Sequence, residues 1–281
     1  MPLHKTLVLL EEIRKYFLVD FYSLESLALA KVLVSSISNL HFGPEVGVRS
    51  RKVDVEVVGT WLSEIDSMVR DLEEVGPLRD TTTYICTDDS RQLSHKLRPN
   101  SIDAVFTSPP YPNEKDYTRT TRLETVLLGF INNKAELRSL KRTLIRSNTR
   151  GVYKGDNDDL WISDNADIQF ISENIENRRI QLGKTSGFER LYHKVAKLYF
   201  GGMKRHLADI RQYLKPGAHL GYVVGDQASY LRVLIRTGKL LADIAESLGY
   251  EIVDIDLFRT RFASATREQM REEVVLLRWP G

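Results

Sequence analysis

The sequence predicts an α/β fold, a mostly parallel sheet flanked by helices and closed by an antiparallel pair of strands. Three observations predict it. Short apolar, β-branched runs ("TTYICTDD", "SIDAVFTS", "AHLGYVVGD") alternate with longer stretches of three-to-four apolar spacing, as expected of strands buried between helices. The last two runs, "YEIVDIDLFRTR" and "REEVVLLRWP", are joined without a strong helical pattern, so they pair antiparallel. The length of 281 residues with 42% hydrophobic content suffices for one large domain or two small ones.

Residues 1–78 form a helical N-terminal region. "LHKTLVLLEEIRKYFL", "SLESLALAKVLVSSISNL" and "VGTWLSEIDSMVRDLEEVG" each repeat apolar residues at helical spacing, and the glycines of "HFGPEVGVRS" mark a loop between helices. Residues 79–281 form the second part. "TTYICTDD" and "SIDAVFTS" are two strands bridged by "SRQLSHKLRPNS". A polar helical insert runs from 114 to 213 and ends in "ERLYHKVAKLYFGGMKRHLADIRQYL", an amphipathic helix stopped at "KPG". "AHLGYVVGD" is a buried strand and "LIRTGKLLADIAESLG" a helix closed by glycine.

Composition narrows the function. No apolar run approaches a membrane span, and acids interrupt the N-terminal apolar region, unlike a signal peptide; a cytoplasmic protein is expected. Cys86 is the only cysteine and the six histidines lack paired ligand spacing, so neither a disulfide framework nor a metal is expected. Net charge is only +2, but ten basic residues face four acids between Glu114 and Lys154. Eight face one between Arg178 and Arg205. Two basic runs flanking one candidate site point to a polyanion.

That site is "DAVFTSPPYPNEKDYTR" (Asp103–Arg119). In open α/β sheets ligands bind beyond the carboxyl ends of strands, where Ser108, Pro109, Pro110 and Tyr111 stand. The prolines remove two N–H donors and leave their carbonyls as acceptors. With the Ser108 hydroxyl and the Tyr111 ring they form a cluster of acceptors beside a stacking platform, suited to a planar group bearing an exocyclic NH₂.

Ser108-Pro109-Pro110-Tyr111 resembles the catalytic motif of the amino-methyltransferases, which methylate exocyclic nitrogens of DNA bases; the serine form is most associated with cytosine-N4 enzymes, the aspartate or asparagine form with adenine-N6 enzymes. "YPNEKDYTRTTRLE" looks like the continuation seen in some site-specific DNA methyltransferases, and the likeness covers most of the chain after about residue 80. It implies a class I methyltransferase (Rossmann-like) sheet, here strands three to seven with the terminal antiparallel hairpin. It also implies S-adenosyl-L-methionine as cofactor, with Asp89, and Asp88 beside it, as the strand-end acid on its adenine. Double-stranded DNA is the implied partner, within restriction–modification. The target base would be extruded and stacked on Tyr111. Its amino group would donate to the Ser108 hydroxyl and the Pro109 carbonyl. Arg119, Arg122, Lys141, Arg142 and Arg146 in the insert would contact phosphates, which position rather than read the duplex.

The chain departs from that family in one respect. The glycine-rich turn Phe-x-Gly-x-Gly after the first strand is not found: "FGPEVGV" has its glycines four apart, "VVGDQ" has one, and "YFGGMK" lies in a helical segment. Strands one and two are missing with it. The expectation is a split or truncated enzyme, with a second polypeptide carrying the glycine-rich loop. Rival readings are an RNA-base or protein-glutamine methyltransferase, or a non-catalytic DNA-binding or assembly subunit.

Overall fold

The computed structural model describes residues 2–15, 19–42, 46–76, 81–93, 97–263 and 267–281. Residues 43–45 of "FGPEVGV" and His95, one of the histidines weighed above, lie outside them. The helices are α1 (Pro2–Lys15), α2 (Val19–Val32), α3 (Val57–Val75), α4 (Tyr117–Thr120), α5 (Arg122–Leu127), α6 (Lys134–Arg142), α7 (Ala166–Gln181), α8 (Tyr192–Ile210) and α9 (Thr237–Ser247). The strands are β1 (Leu40–Phe42), β2 (Val46–Val48), β3 (Ile102–Thr107), β4 (Leu214–Gly225), β5 (Glu251–Ala263) and β6 (Glu268–Arg278). The chain divides into two compact units, Met1–Ile85 with Tyr117–Arg138, and Cys86–Asp116 with Ser139–Gly281.

The first unit is helical, as the spacing dictates. In α1 the buried positions are Thr6, Leu9, Leu10 and Ile13, one face of a 3.6-residue period. Leu9, Leu10 and Ile13 join Leu29, Val32, Leu33, Ile37 and Val57 in one apolar cluster, with Trp61, Leu123 and Leu127 packed against it. The indole N–H of Trp61 donates to the Glu25 carbonyl at 3.0 Å. "HFGPEVGV" is not a plain loop: β1 and β2 pair antiparallel, Leu40 opposite Val48 and His41 opposite Gly47.

The second unit is a mixed four-stranded sheet in the order β3-β4-β6-β5. β3 runs parallel to β4, with Val105 opposite Leu220 and Thr107 opposite Tyr222; β4 with β6, and β6 with β5, are antiparallel. The closing strands thus form the expected hairpin. The expected strand over "TTYICTDD" is not formed: residues 82–89 are irregular, and Tyr84 and Ile85 are 91% and 95% exposed. A β-branched run becomes a strand only where a ladder and a packing surface meet it, and these side chains have neither. Among the described residues the sheet therefore has four strands where five were expected, and β3 is an edge.

One face of the sheet is the core. Leu220, Tyr222 and Val224 of β4 and Val275 and Leu277 of β6 pack with Val195, Tyr199, Met203 and Leu207 of α8 and Leu240, Leu241 and Ile244 of α9. The "GG" within α8 has a packing reason. A Cβ on Gly201 would stand 1.9 Å from the Asp158 carbonyl oxygen, so only glycine lets the helix touch the 3-10 turn Asp158–Ile162. Nearby, Nδ1 of His206 lies 2.7 Å from the Ser90 carbonyl and Nε2 lies 2.8 Å from the Tyr222 hydroxyl. A carbonyl only accepts, so Nδ1 donates and the neutral ring's Nε2 accepts from the phenol. Burial lowers the His206 pKa, which keeps that tautomer. The opposite face, carrying Phe106 (78% exposed) and Gly221, is far less covered.

Candidate active site

Parallel pairing of β3 with β4 decides where the proline turn lies. Because Thr107 is opposite Tyr222, the residues after it meet the carboxyl end of β4. Ser108 is exposed and its hydroxyl donates to the Val223 carbonyl at 3.3 Å. A hydroxyl has one proton and two lone pairs, so donating to Val223 leaves Ser108 an acceptor towards anything beyond the strand end. Pro109 is buried, Pro110 and Tyr111 half-buried. The Tyr111 ring lies over Gly225, the last residue of β4: a Cβ there would stand 3.1 Å from Cε2 of Tyr111 and 3.3 Å from Cγ of Glu272. Gln227 flanks this spot and donates from Nε2 to the Gly225 carbonyl at 3.2 Å.

The continuation "YPNEKD" is held by a second segment, 146–149. Glu114 has φ +68°, a conformation that costs a non-glycine residue strain and persists only where neighbours over-determine it. They do. Its N–H donates to the Ser147 carbonyl at 3.2 Å, and its carboxylate accepts from the Thr149 N–H and hydroxyl, both at 2.8 Å. Asn148 Nδ2 donates to the Lys115 carbonyl at 3.2 Å, and the buried Tyr230 hydroxyl donates to the Ser147 carbonyl at 3.0 Å. Lys141 pairs with Asp116 at 2.6 Å, their side chains only 12% and 6% exposed.

The other expected site residues are placed as follows. Asp88 is exposed and accepts from the Asp89 N–H at 2.9 Å. Asp89 is engaged by Arg91, whose Nε donates to Oδ1 at 2.9 Å and Nη2 to Oδ2 at 2.6 Å. Burial raises the Asp89 pKa, but these bonds more than offset it and hold the carboxyl below its ordinary value. Arg91 also donates to Asp158 at 2.6 Å and to the Arg142 carbonyl at 2.7 Å. The basic cluster is divided between the units: Arg119 and Arg122 belong to the first, Lys141, Arg142 and Arg146 to the second. Arg119 is exposed; Arg122 is half-buried and donates to the Thr118 carbonyl and hydroxyl at 3.0 and 3.2 Å. Arg142 is exposed, its guanidinium 5.4 Å from the Tyr153 ring centre. Arg146 is 3% exposed and grips both oxygens of Asp156 at 2.9 and 2.8 Å. For Arg146 and Lys141 to reach a phosphate, each must first release a buried carboxylate.

Glu114, Thr149, Gly225, Gln227 and Glu272 are site residues that sequence reasoning missed. One signal for Gly225 was present. "VVGDQ" was weighed only as a cofactor loop, whereas its glycine makes room for the tyrosine ring.

Comparison with known proteins gives distant relatives of one kind. The chain is 25% identical over 175 residues to the Type II methyltransferase M.AvaI of Nostoc sp. and to the same-named protein of Anabaena variabilis, covering 59% of this chain and 34% of each relative. It is 25% identical over 237 residues to the Type II methyltransferase M.BsoBI of Geobacillus stearothermophilus, covering 77% of this chain and 45% of that protein. The chain thus spans less than half the length of these curated relatives. No family model matches it and no solved structure matches it. The likeness is thus to Type II methyltransferases at low identity, and the mixed α/β fold is compatible with it.

Proposed function

We propose that this chain is the catalytic portion of an S-adenosylmethionine-dependent DNA methyltransferase acting on cytosine N4, with the cofactor pocket completed by a second polypeptide. One observation carries the reading: at the carboxyl end of the parallel pair, the exposed Ser108 hydroxyl is oriented as an acceptor by the Val223 carbonyl, beside the half-open ring of Tyr111. That pair fits an extruded base, the ring stacking on its face and the hydroxyl and the Pro109 carbonyl drawing on its NH₂. Positioning of this kind supplies roughly 7–11 kcal/mol of rate acceleration when both reactants are held. The likeness to Type II methyltransferases supports the reaction class.

The residues described do not by themselves fit the cofactor. Both oxygens of Asp89 already accept from Arg91, and among the described residues no glycine-rich turn follows a parallel strand. The methyl donor is therefore assigned to a pocket that a companion chain completes. The open β3 edge suits such a companion, since an unpaired edge templates further strands. In the insert, the exposed Arg119 and Arg142 with the half-buried Arg122 are the phosphate contacts favoured here. Lys141 and Arg146 join them only by giving up Asp116 and Asp156.

Two measurements test this. Calorimetry on the chain alone should show no micromolar S-adenosylmethionine binding, and such binding would defeat the split. Supplied with a polypeptide bearing the glycine-rich loop, the chain should methylate duplex DNA at cytosine N4. Transfer only to adenine N6, to RNA or to a glutamine peptide would replace the substrate, and no transfer to any of them would leave an assembly subunit.

A further inference from the structure

β5 carries Arg259 and Arg261 in alternation, so they share one face of the strand. Opposite Arg259 in the ladder stands Glu272 of β6. Arg259 Nε donates to Glu272 Oε2 at 2.6 Å, and Arg261 Nε lies 3.9 Å from Oε1. Glu272 is 8% exposed and is the residue whose Cγ meets Gly225 where the Tyr111 ring does. One buried carboxylate thus anchors two guanidiniums beside the candidate active-site ring, leaving one net positive charge.

These cations are more open than Lys141 and Arg146 of the insert. The Arg259 and Arg261 side chains are 66% and 53% exposed, against 12% for Lys141 and 3% for Arg146. A guanidinium has five N–H donors, and the bond to Glu272 takes one of those on Arg259. Phe258, 50% exposed at the bulge before Arg259, has its ring centre 5.9 Å from the Arg259 guanidinium, whereas Phe262 alternates to the other face. Two exposed arginines with one aromatic ring beside them suit a sugar–phosphate backbone, where guanidinium grips phosphate bidentately and a ring meets a sugar or base.

We propose that Arg259 and Arg261 are a phosphate-gripping element for duplex DNA, held by Glu272 next to the ring that receives the extruded base. The proposal rests on the DNA methyltransferase reading above. It adds a contact outside the helical insert, on the sheet face that carries Tyr111.

The test is fluorescence anisotropy of a labelled mixed-sequence duplex with the full chain, titrated over a range of salt. Each phosphate contact contributes about 0.9 to the slope of log affinity against log salt. Arg259→Gln with Arg261→Gln should therefore reduce the slope by about 1.8, while Arg259→Lys with Arg261→Lys retains most of it. Lys239→Gln, on α9 against the other face, should leave it unchanged. An unchanged slope in a double glutamine variant with an unaltered denaturation midpoint overturns this proposal alone, as does an equal loss in Lys239→Gln. Failure of the unaltered chain to bind duplex DNA overturns it together with the reading beneath it.

Discussion

Ser108→Ala is expected to reduce methyl transfer by about 10²–10³-fold in the completed enzyme while leaving DNA affinity unchanged. The magnitude follows from removal of one preorganised hydrogen-bonding group at a reacting centre. The geometry makes the experiment clean. Ser108 is exposed and its one bond to protein, to the Val223 carbonyl, is long at 3.3 Å, so its loss creates neither a cavity nor a buried orphan. The turn is shaped by Pro109, Pro110 and the Glu114 latch, all of which remain. Ser108→Asn restores an acceptor and should recover part of the rate. Transfer that survives the alanine substitution would move the chemistry elsewhere and reduce the turn to a structural element.

The largest effect on stability is expected at Asp158. Its carboxylate, 4% exposed, accepts from Arg91 at 2.6 Å and lies 3.3 Å from Arg205. Asp158→Ala leaves Arg91, itself 7% exposed, with a buried charge short of its partner, a change that costs about 3–5 kcal/mol. Replacing both ends, Arg91→Met with Asp158→Leu, should recover much of that loss, since two apolar groups leave no charge uncompensated. Chemical denaturation followed by tryptophan emission reads the change, and a variant keeping Trp161 alone, in the same 3-10 turn as Asp158, reads it locally. A loss below about 1 kcal/mol would mean that water or Asp89 satisfies Arg91 instead.

Much of the second unit was legible because its signals are local. α8 announces itself by Val195, Tyr199, Met203 and Leu207 at three-to-four spacing, and the hairpin by two β-branched runs without a helix between them. The candidate turn could be singled out because its four residues are consecutive. "TTYICTDD" misled because strand propensity records how a residue packs on a sheet, and the period of a run cannot say whether a neighbouring strand is there. "HFGPEVGV" misled the other way, its glycines masking a short hairpin. The basic run misled for a third reason. "RSNTRGVYKGD" contains both Arg146 and the acid that buries it, and composition does not reveal which cations face solvent. The Glu114–Thr149 latch spans 35 residues, and the contact of Tyr111 with Gly225 and Glu272 spans more; no periodicity connects such positions.

The pairing of β3 with β4 has a kinetic consequence. It joins Ser108 to Val223 across 115 residues, whereas β5 and β6 lie only a few residues apart in sequence. Loop-closure entropy grows with the logarithm of the intervening length, and non-local pairings come late in folding. The hairpin should therefore gain amide protection first in pulsed hydrogen exchange, and the amides of β3 last. Simultaneous protection would contradict that order. A chain still being synthesised would then hold its candidate active site unmade at least until β4 had left the ribosome.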